Sequence, residues 1–264
     1  MSSIGKLQKF AENKTFASLL EPTMAEVFRR DYKFKGRWKK DIFGNNNPIV
    51  LELGCGKGEY TIALAEKYPN KNFIGIDIKG ARLWKGAKYA ETNKLSNVRF
   101  IRTHIDFIES LFGENEIDEI WITFADPQLT HPRKRLSGTL FLERYRNMLS
   151  SSGLIHLKTD SIFLHTYTKE LAIQNKLNIK SCSTNVYTDV QTHREKDILV
   201  AEIPSEVTEI QTFYEKFFLK MGLKITYLSF SLPYDRKVKL VEPEWDVAYW
   251  REQEELGRVR KRIQ

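Results

Sequence analysis

Leu51-Glu-Leu-Gly-Cys-Gly-Lys-Gly58 decides the fold when it is read with its flanks. An apolar run, Pro48-Ile49-Val50-Leu51, leads into it, and a helix-like segment, Tyr60 to Lys67, follows. A second apolar run, Phe73-Ile74-Gly75-Ile76, then ends in Asp77. Strand, glycine turn, helix, strand and acid form the layout of a site for an adenosine-bearing ligand on a parallel sheet.

The spacing of the glycines narrows the ligand. Gly54, Gly56 and Gly58 alternate, which lets the backbone turn tightly and approach a ligand where a β-carbon would collide. A dinucleotide loop places its third glycine three residues after the second, so that helix and strand pack around a pyrophosphate. Here the third glycine comes after two, and Glu52 precedes the first by two. A carboxylate is poorly matched to a pyrophosphate. It suits the cationic amine and sulfonium of S-adenosylmethionine. Asp77, about 20 residues past the loop, stands where an acid accepts ribose hydroxyls. The plainer alternative is a glycine turn with Glu52 and Asp77 merely solvated; the agreement of loop, flanks and distal acid argues against it.

Composition sets the bounds. The 264 residues suffice for one large domain with appendages, and 41% hydrophobic content allows a full core. A formal charge of +8 favours an anionic partner such as nucleic acid. Cys55 and Cys182, far apart, give neither a disulfide framework nor a zinc pattern, which fits a reducing cytoplasm. Cys55 reads as a small filler within the loop. The five histidines form no metal-binding pair, so no metal is expected. The start of the chain has no apolar signal core, and no run approaches the roughly 20 apolar residues of a membrane helix.

Along the chain, residues 1–47 are basic and read as an N-terminal arm, closed by Asn45-Asn46-Asn47-Pro48. Residues 48–232 read as the main domain, and 233–264 as a C-terminal extension of mixed charge ending in a basic run, 258–262. Strands are expected near 48–53, 72–77, 97–103, 117–124 and 153–159. Helices are expected near 59–68, 79–94, 105–112, 138–150 and 162–176. The alternation predicts an α/β, Rossmann-like fold with a mostly parallel sheet and helices on both faces. Residues 181–197 show no sustained alternation. Ile198–Ala201 and Lys224–Leu232 then read as strands, with a helix over Glu209–Met221 between them, suggesting an antiparallel hairpin at the sheet edge.

A second site follows the fourth main strand. Ile117 to Phe124 ends in Ala125-Asp126-Pro127, and ligands of open α/β sheets sit beyond the carboxyl ends of strands. His131, Arg133, Lys134 and Arg135 come next, a cluster suited to phosphates of a large substrate, or otherwise an exposed charged loop. Lys158-Thr159-Asp160 adds a carboxylate at the end of the fifth strand, where Asp160 could also cap the following helix.

LELGCGKG, then GIDIK, FADP, HPRKR, KTD and TFYEKFFLKMG together resemble the bacterial tRNA (guanine-N7)-methyltransferase family, a class I S-adenosylmethionine-dependent group, over about residues 48–232. The resemblance implies a seven-stranded sheet. It also implies methyl transfer from S-adenosylmethionine to guanine N7 in the variable loop of tRNA, at tRNA position 46. By resemblance, Glu52, Gly54, Gly56, Gly58 and Asp77 hold the cofactor, with Thr103 and His104 on its adenine side. The resemblance also makes Asp126 the catalytic residue, at the methyl-transfer centre. Thr130, Arg133, Lys134, Arg135, Asp160, Thr212 and Glu215 form the guanine and RNA side. The chain would act on tRNA as a monomer or homodimer. It departs from the family at Phe124-Ala125-Asp126-Pro127-Gln128, where FPDPW is usual, and its basic run is about two residues shorter, with Thr130 at about the place of a family lysine.

Three other readings compete. An amino-group methyltransferase would carry a second proline and an aromatic after Asp126, which Gln128 is not. A non-catalytic RNA-binding module with a degenerate methyltransferase fold gains support from the altered FPDPW segment and loses it from Glu52, Asp77 and Asp126. A nicotinamide-dependent oxidoreductase is disfavoured by the glycine spacing and Glu52.

Overall fold

The computed structural model describes residues 5–188, 203–233 and 239–253. The chain divides into two compact units, Met1–Trp121 with Asn147–Gly153, and Ile122–Arg146 with Leu154–Gln264.

In the first unit, four strands pair in parallel: β1 (Leu19–Leu20) with β4 (Val98–Arg102), β4 with β3 (Asn72–Asp77), and β3 with β2 (Ile49–Leu53). Strand β5 (Ile117–Thr123) neighbours β2, giving the order β1-β4-β3-β2-β5. Every residue of β2 is buried, as a near-continuous apolar strand covered on both faces requires. Helices α3 (Glu59–Lys67) and α4 (Gly80–Thr92) follow β2 and β3. Leu83, Ala87 and Ala90 form the buried stripe of α4, as their spacing predicts.

The N-terminal residues fold with this unit. Helix α1 (Lys6–Asn13) packs on α4: Asn13 donates to the Gly80 carbonyl at 3.0 Å, and Trp84 donates to Glu12 at 3.0 Å. Among the described residues, strand β1 brings the number of strands to eight, not the expected seven; two leucines are too short to show a period. Beyond the short helix α2 (Met24–Val27), a π-helical turn, Trp38–Phe43, buries Trp38 completely. The Glu116 carboxylate gathers the amides of Gly36, Trp38 and Gly113 at 2.7–2.9 Å, tying this segment to the turn before β5. A 3-10 turn (Ile105–Phe107) and helix α5 (Ile108–Leu111) complete the unit.

In the second unit, Ile155–Thr159 of β6 (Leu149–Thr159) and strand β7 (Asn178–Ser183) both pair antiparallel with β8 (Thr226–Ser231). An antiparallel edge is present, and the strand expected over Lys224–Leu232 is β8, paired with β6 and β7. Strand β7 escapes the sequence pattern because Ser181, Cys182 and Ser183 are buried small residues, which leave no apolar alternation. The expected strand at Ile198–Ala201 lies outside the described residues. Helix α6 (Thr139–Met148) precedes β6, and α7 (Ile162–Gln174) follows it. The side chain capping α7 is Ser161, which accepts from the Leu164 amide at 3.1 Å; Asp160 is not the cap. The helix expected over Glu209–Met221 is two helices, α8 (Glu206–Glu209) and α9 (Phe213–Lys220). A new cap at Thr212 starts the second, and Gly222, at φ +69°, follows its end. Among the described residues no helix is long and apolar enough to cross a membrane.

Candidate active site

The glycine loop between β2 and α3 is closed by hydrogen bonds from the end of β3. The amides of Gly54 and Cys55 donate to the Ile76 carbonyl at 2.8 and 3.1 Å. The Gly56 amide donates to Asp77 Oδ2 at 2.9 Å, and the Lys79 amide donates to Oδ1 at 2.7 Å. Gly54, Gly56 and Gly58 all have left-handed backbone, with φ of +76°, +57° and +72°, which other residues adopt only under strain.

The three glycines serve different ends. A β-carbon on Gly54 or Gly56 would meet nothing within 4 Å, so the backbone there borders open space. One on Gly58 would stand 2.5 Å from the Phe100 ring, and one on Gly86 of α4 would stand 2.7 Å from the same ring and 2.9 Å from the Lys57 carbonyl. Gly58 and Gly86 therefore permit close packing beneath the loop, while Gly54 and Gly56 leave a cradle above it. That open cradle beside a carboxylate fits the adenosine portion of S-adenosylmethionine.

Glu52 is buried, at 3% exposure. One of its carboxylate oxygens accepts from the Thr61 amide at 2.8 Å and from the Thr61 hydroxyl, placing negative charge at the first turn of α3. It anchors the helix behind the loop. Cys55 is also buried; burial first, then the Glu52 and Asp77 carboxylates, push its thiol well above the usual range. A thiolate nucleophile is disfavoured there. Thr103 is buried, and its amide donates to the Asp77 carbonyl at 3.2 Å, so it stands beside the acid. His104, next along, is exposed, its ring edge-on to Phe107.

The remaining candidates lie in the second unit. Asp126 is exposed in a loop flanked by two non-glycine residues with left-handed backbone, Phe124 (φ +51°) and Gln128 (φ +49°). Such conformations persist only where the surroundings hold them, and they collect at functional sites. The Phe124 amide donates to the Lys158 carbonyl at 2.9 Å, and Asp126 Oδ1 accepts from the Gln128 amide at 3.0 Å. Arg133 and Lys134 are exposed in a 3-10 turn, Pro132–Lys134. Thr130 is exposed, with its hydroxyl 2.9 Å from His131 Nδ1.

Arg135 behaves differently from its basic neighbours. It is 3% exposed and donates through Nε to the Pro127 carbonyl at 3.0 Å and through Nη2 to the Gln128 carbonyl at 3.1 Å. The expected phosphate contact gives way to an internal role, because the guanidinium is turned into its own loop.

Thr212 and Glu215 form a capping box at α9. Glu215 is fully buried, 2.7 Å from the Lys158 ammonium, and accepts from the Tyr187 hydroxyl at 2.7 Å. Lys158 also donates to the Ile210 carbonyl at 2.9 Å. Burial and the Glu215 carboxylate both raise the Tyr187 pKa, so the phenol stays protonated. Glu215 is turned inward, away from the guanine side expected of it, while Thr212 is half-buried at the start of α9. The missed residue is Lys158. Its signal was available: a lysine within the apolar strand Leu154-Ile-His-Leu-Lys158 demands a buried carboxylate partner. Asp160 is half-buried just past β6.

The chain is similar to known proteins over most of its length. A family model described as "Putative methyltransferase" matches residues 46–228. The tRNA (guanine-N(7)-)-methyltransferase of Christiangramia forsetii is 48% identical over 234 residues, covering 88% of this chain and all of that protein. The enzymes of the same name from Porphyromonas gingivalis and Bacteroides fragilis are 45% and 42% identical, covering 83% and 92% of this chain and 86% and 90% of their own. Among solved structures, the 16S rRNA methyltransferase KamB superposes with a TM-score of 0.52 at 13% identity, over 74% of this chain and 92% of its own. An antibiotic-related methyltransferase gives 0.50 at 20% identity, over 73% and 91%. Those structures share the fold. The relatives share the sequence that builds it, and the chain belongs to the tRNA (guanine-N(7)-)-methyltransferase family.

Proposed function

We propose that this chain transfers a methyl group from S-adenosylmethionine to N7 of guanine in the variable loop of tRNA, at tRNA position 46. The observation that carries the reading is 48% identity over 88% of this chain to a relative named tRNA (guanine-N(7)-)-methyltransferase. The open glycine cradle tied to Asp77 supports it independently.

The Gly54 and Gly56 backbone and Asp77 hold the cofactor, with Thr103 and His104 toward its adenine. Glu52 acts from behind the loop by fixing α3. Bound S-adenosylmethionine would supply an electrophilic sulfonium methyl, which the in-plane N7 lone pair would attack without prior deprotonation as the S–CH3 bond breaks and S-adenosylhomocysteine leaves. The chain therefore needs to align and desolvate more than to move protons. Asp126, exposed on its loop, accepts hydrogen bonds from guanine N1–H and the exocyclic amine, orienting N7. Arg133 and Lys134 meet phosphates, with Thr130 and Asp160 at the RNA-facing rim. Arg135, Thr212 and Glu215 hold the loop and helix that carry these groups. The substrate places the work in the cytoplasm, by a monomer or a homodimer.

Transfer is tested with two unmodified transcripts, one with guanine and one with adenine at tRNA position 46. The proposal expects label from S-adenosylmethionine in the first and at most background in the second. Equal labelling would remove the positional assignment.

A further inference from the structure

The match to the family model ends at residue 228, yet the residues beyond it return to the Asp126 loop. Residues 240–245 dock on α6 and α7. The Leu240 amide donates to Glu143 at 2.8 Å; Asn175 donates to the Val241 carbonyl at 2.8 Å and accepts from its amide at 2.6 Å. Trp245 packs against the rings of Phe163 and Tyr167, with centroids 5.6 and 5.7 Å away.

Between these anchors, Glu242 accepts from the Tyr167 hydroxyl at 2.6 Å and from the Thr139 hydroxyl at 2.8 Å. It also stands 3.6 Å from Arg135. Arg135 lies over the Tyr167 ring at 4.0 Å and the Phe163 ring at 4.8 Å, and its guanidinium donates to both carbonyls that follow Asp126. Burial, reinforced by the Glu242 carboxylate, raises the Tyr167 pKa, so its hydroxyl remains a donor.

We infer that Glu242 is a positioning residue: it orients Arg135, which grips the Pro127 and Gln128 carbonyls and so holds Asp126 at a fixed attitude toward the substrate base. This rests on the role given to Asp126 above. The loop requires such a grip, because Phe124 and Gln128 both stand in left-handed backbone that isolated residues leave. The Arg135 fork is suited to two carbonyls at once, as a lysine is not.

The test uses the full chain with Glu242→Ala, Glu242→Gln, Arg135→Lys and the Ala/Lys double variant. Amide hydrogen exchange over residues 124–131 is read in the absence of tRNA and S-adenosylmethionine. Turnover on tRNA and cofactor affinity are read separately. Glu242→Ala is expected to speed loop exchange while β6 and β8 amides stay protected. It should lower kcat about 10-fold, since small misplacements near the reacting centre are costly. Cofactor affinity should stay within about twofold, because the cradle lies elsewhere in the sequence. Glu242→Gln, which still accepts from Tyr167 and Thr139, should recover part of kcat. The double variant should be no worse than Arg135→Lys alone, since the two act in series. Unchanged loop exchange in Glu242→Ala, or losses that multiply in the double variant, would overturn the inference. Exchange needs no reaction, so a wild-type chain that transfers no methyl would sink the proposed function alone.

Discussion

Asp77 Oδ2 accepts the Gly56 amide at 2.9 Å, across 21 residues of chain, and so fastens the glycine loop to the end of β3 before any ligand arrives. The same carboxylate accepts the Lys79 amide through its other oxygen. The acid thus has two tasks: it shapes the loop, and its remaining lone pairs accept ribose hydroxyls. Asp77→Asn keeps an oxygen for Gly56 but turns its NH2 toward the Lys79 amide, and should weaken S-adenosylmethionine binding at least about 10-fold, as a hydrogen bond to a charged group contributes about 1.5–3 kcal/mol. Asp77→Ala should lose more and also lower the melting temperature. Titration calorimetry with a thermal scan separates the two; affinity within twofold of wild type in both variants would exclude the ribose role.

Lys158 and Glu215 form an ion pair with no exposure on either side chain. Removing one partner leaves an uncompensated buried charge, which costs about 3–5 kcal/mol. Glu215→Ala should therefore show its loss first in thermal or urea unfolding. At a temperature where the variant is folded, turnover should be reduced far less than by Asp126→Asn. A variant with wild-type stability and no turnover would return Glu215 to the substrate.

Much of this could be read from the sequence, and the failures share a cause. The strands at 49–53 and 72–77 and the helix stripe Leu83, Ala87, Ala90 follow from apolar pattern and turn chemistry. Asp77 and the alternating glycines follow from spacing. What the pattern missed is polar and buried: the Ser181–Ser183 stretch of β7, the Lys158–Glu215 pair, and the inward turn of Arg135. Charge along a sequence suggests solvent or substrate. Only the fold shows that a charge has found an internal partner. Glu52 shows the same limit, since its position suggests a ligand contact while its carboxylate reaches Thr61.

His165 of α7 supplies a pH dependence. Burial lowers its pKa from 6.5 to about 4, with Lys169 adding to the shift, while Nε2–H donates to the Tyr227 carbonyl at 3.3 Å. Between about pH 6.5 and pH 4 the unfolded chain binds a proton that the folded chain refuses. Stability is therefore full above about 6.5 and falls as pH drops through that window, by up to about 3 kcal/mol at roughly 1.4 kcal/mol per unit. Urea unfolding of wild type and His165→Gln across this range checks it: the acid-side slope should be shallower in the variant. Parallel slopes would mean that His165 titrates normally in the fold.

Arg133 and Lys134 are the exposed cations of the loop after Asp126. Alanine at either should weaken tRNA binding without changing which tRNA is preferred. Each should reduce the slope of log K against log salt by about 0.7–0.9, the value for one phosphate contact. Arg135→Ala should instead change kcat, since its guanidinium faces the Pro127 and Gln128 carbonyls. Binding measured from low to high salt distinguishes these; an unchanged slope in both surface variants would move the phosphate contacts elsewhere.

The central claim is methyl transfer to guanine N7. It is tested by incubating the full chain with methyl-labelled S-adenosylmethionine and unmodified tRNA, then digesting the RNA to nucleosides. The account predicts label in 7-methylguanosine, lost in Asp126→Asn. Label in another nucleoside, or bound cofactor with no transfer to tRNA, would contradict it.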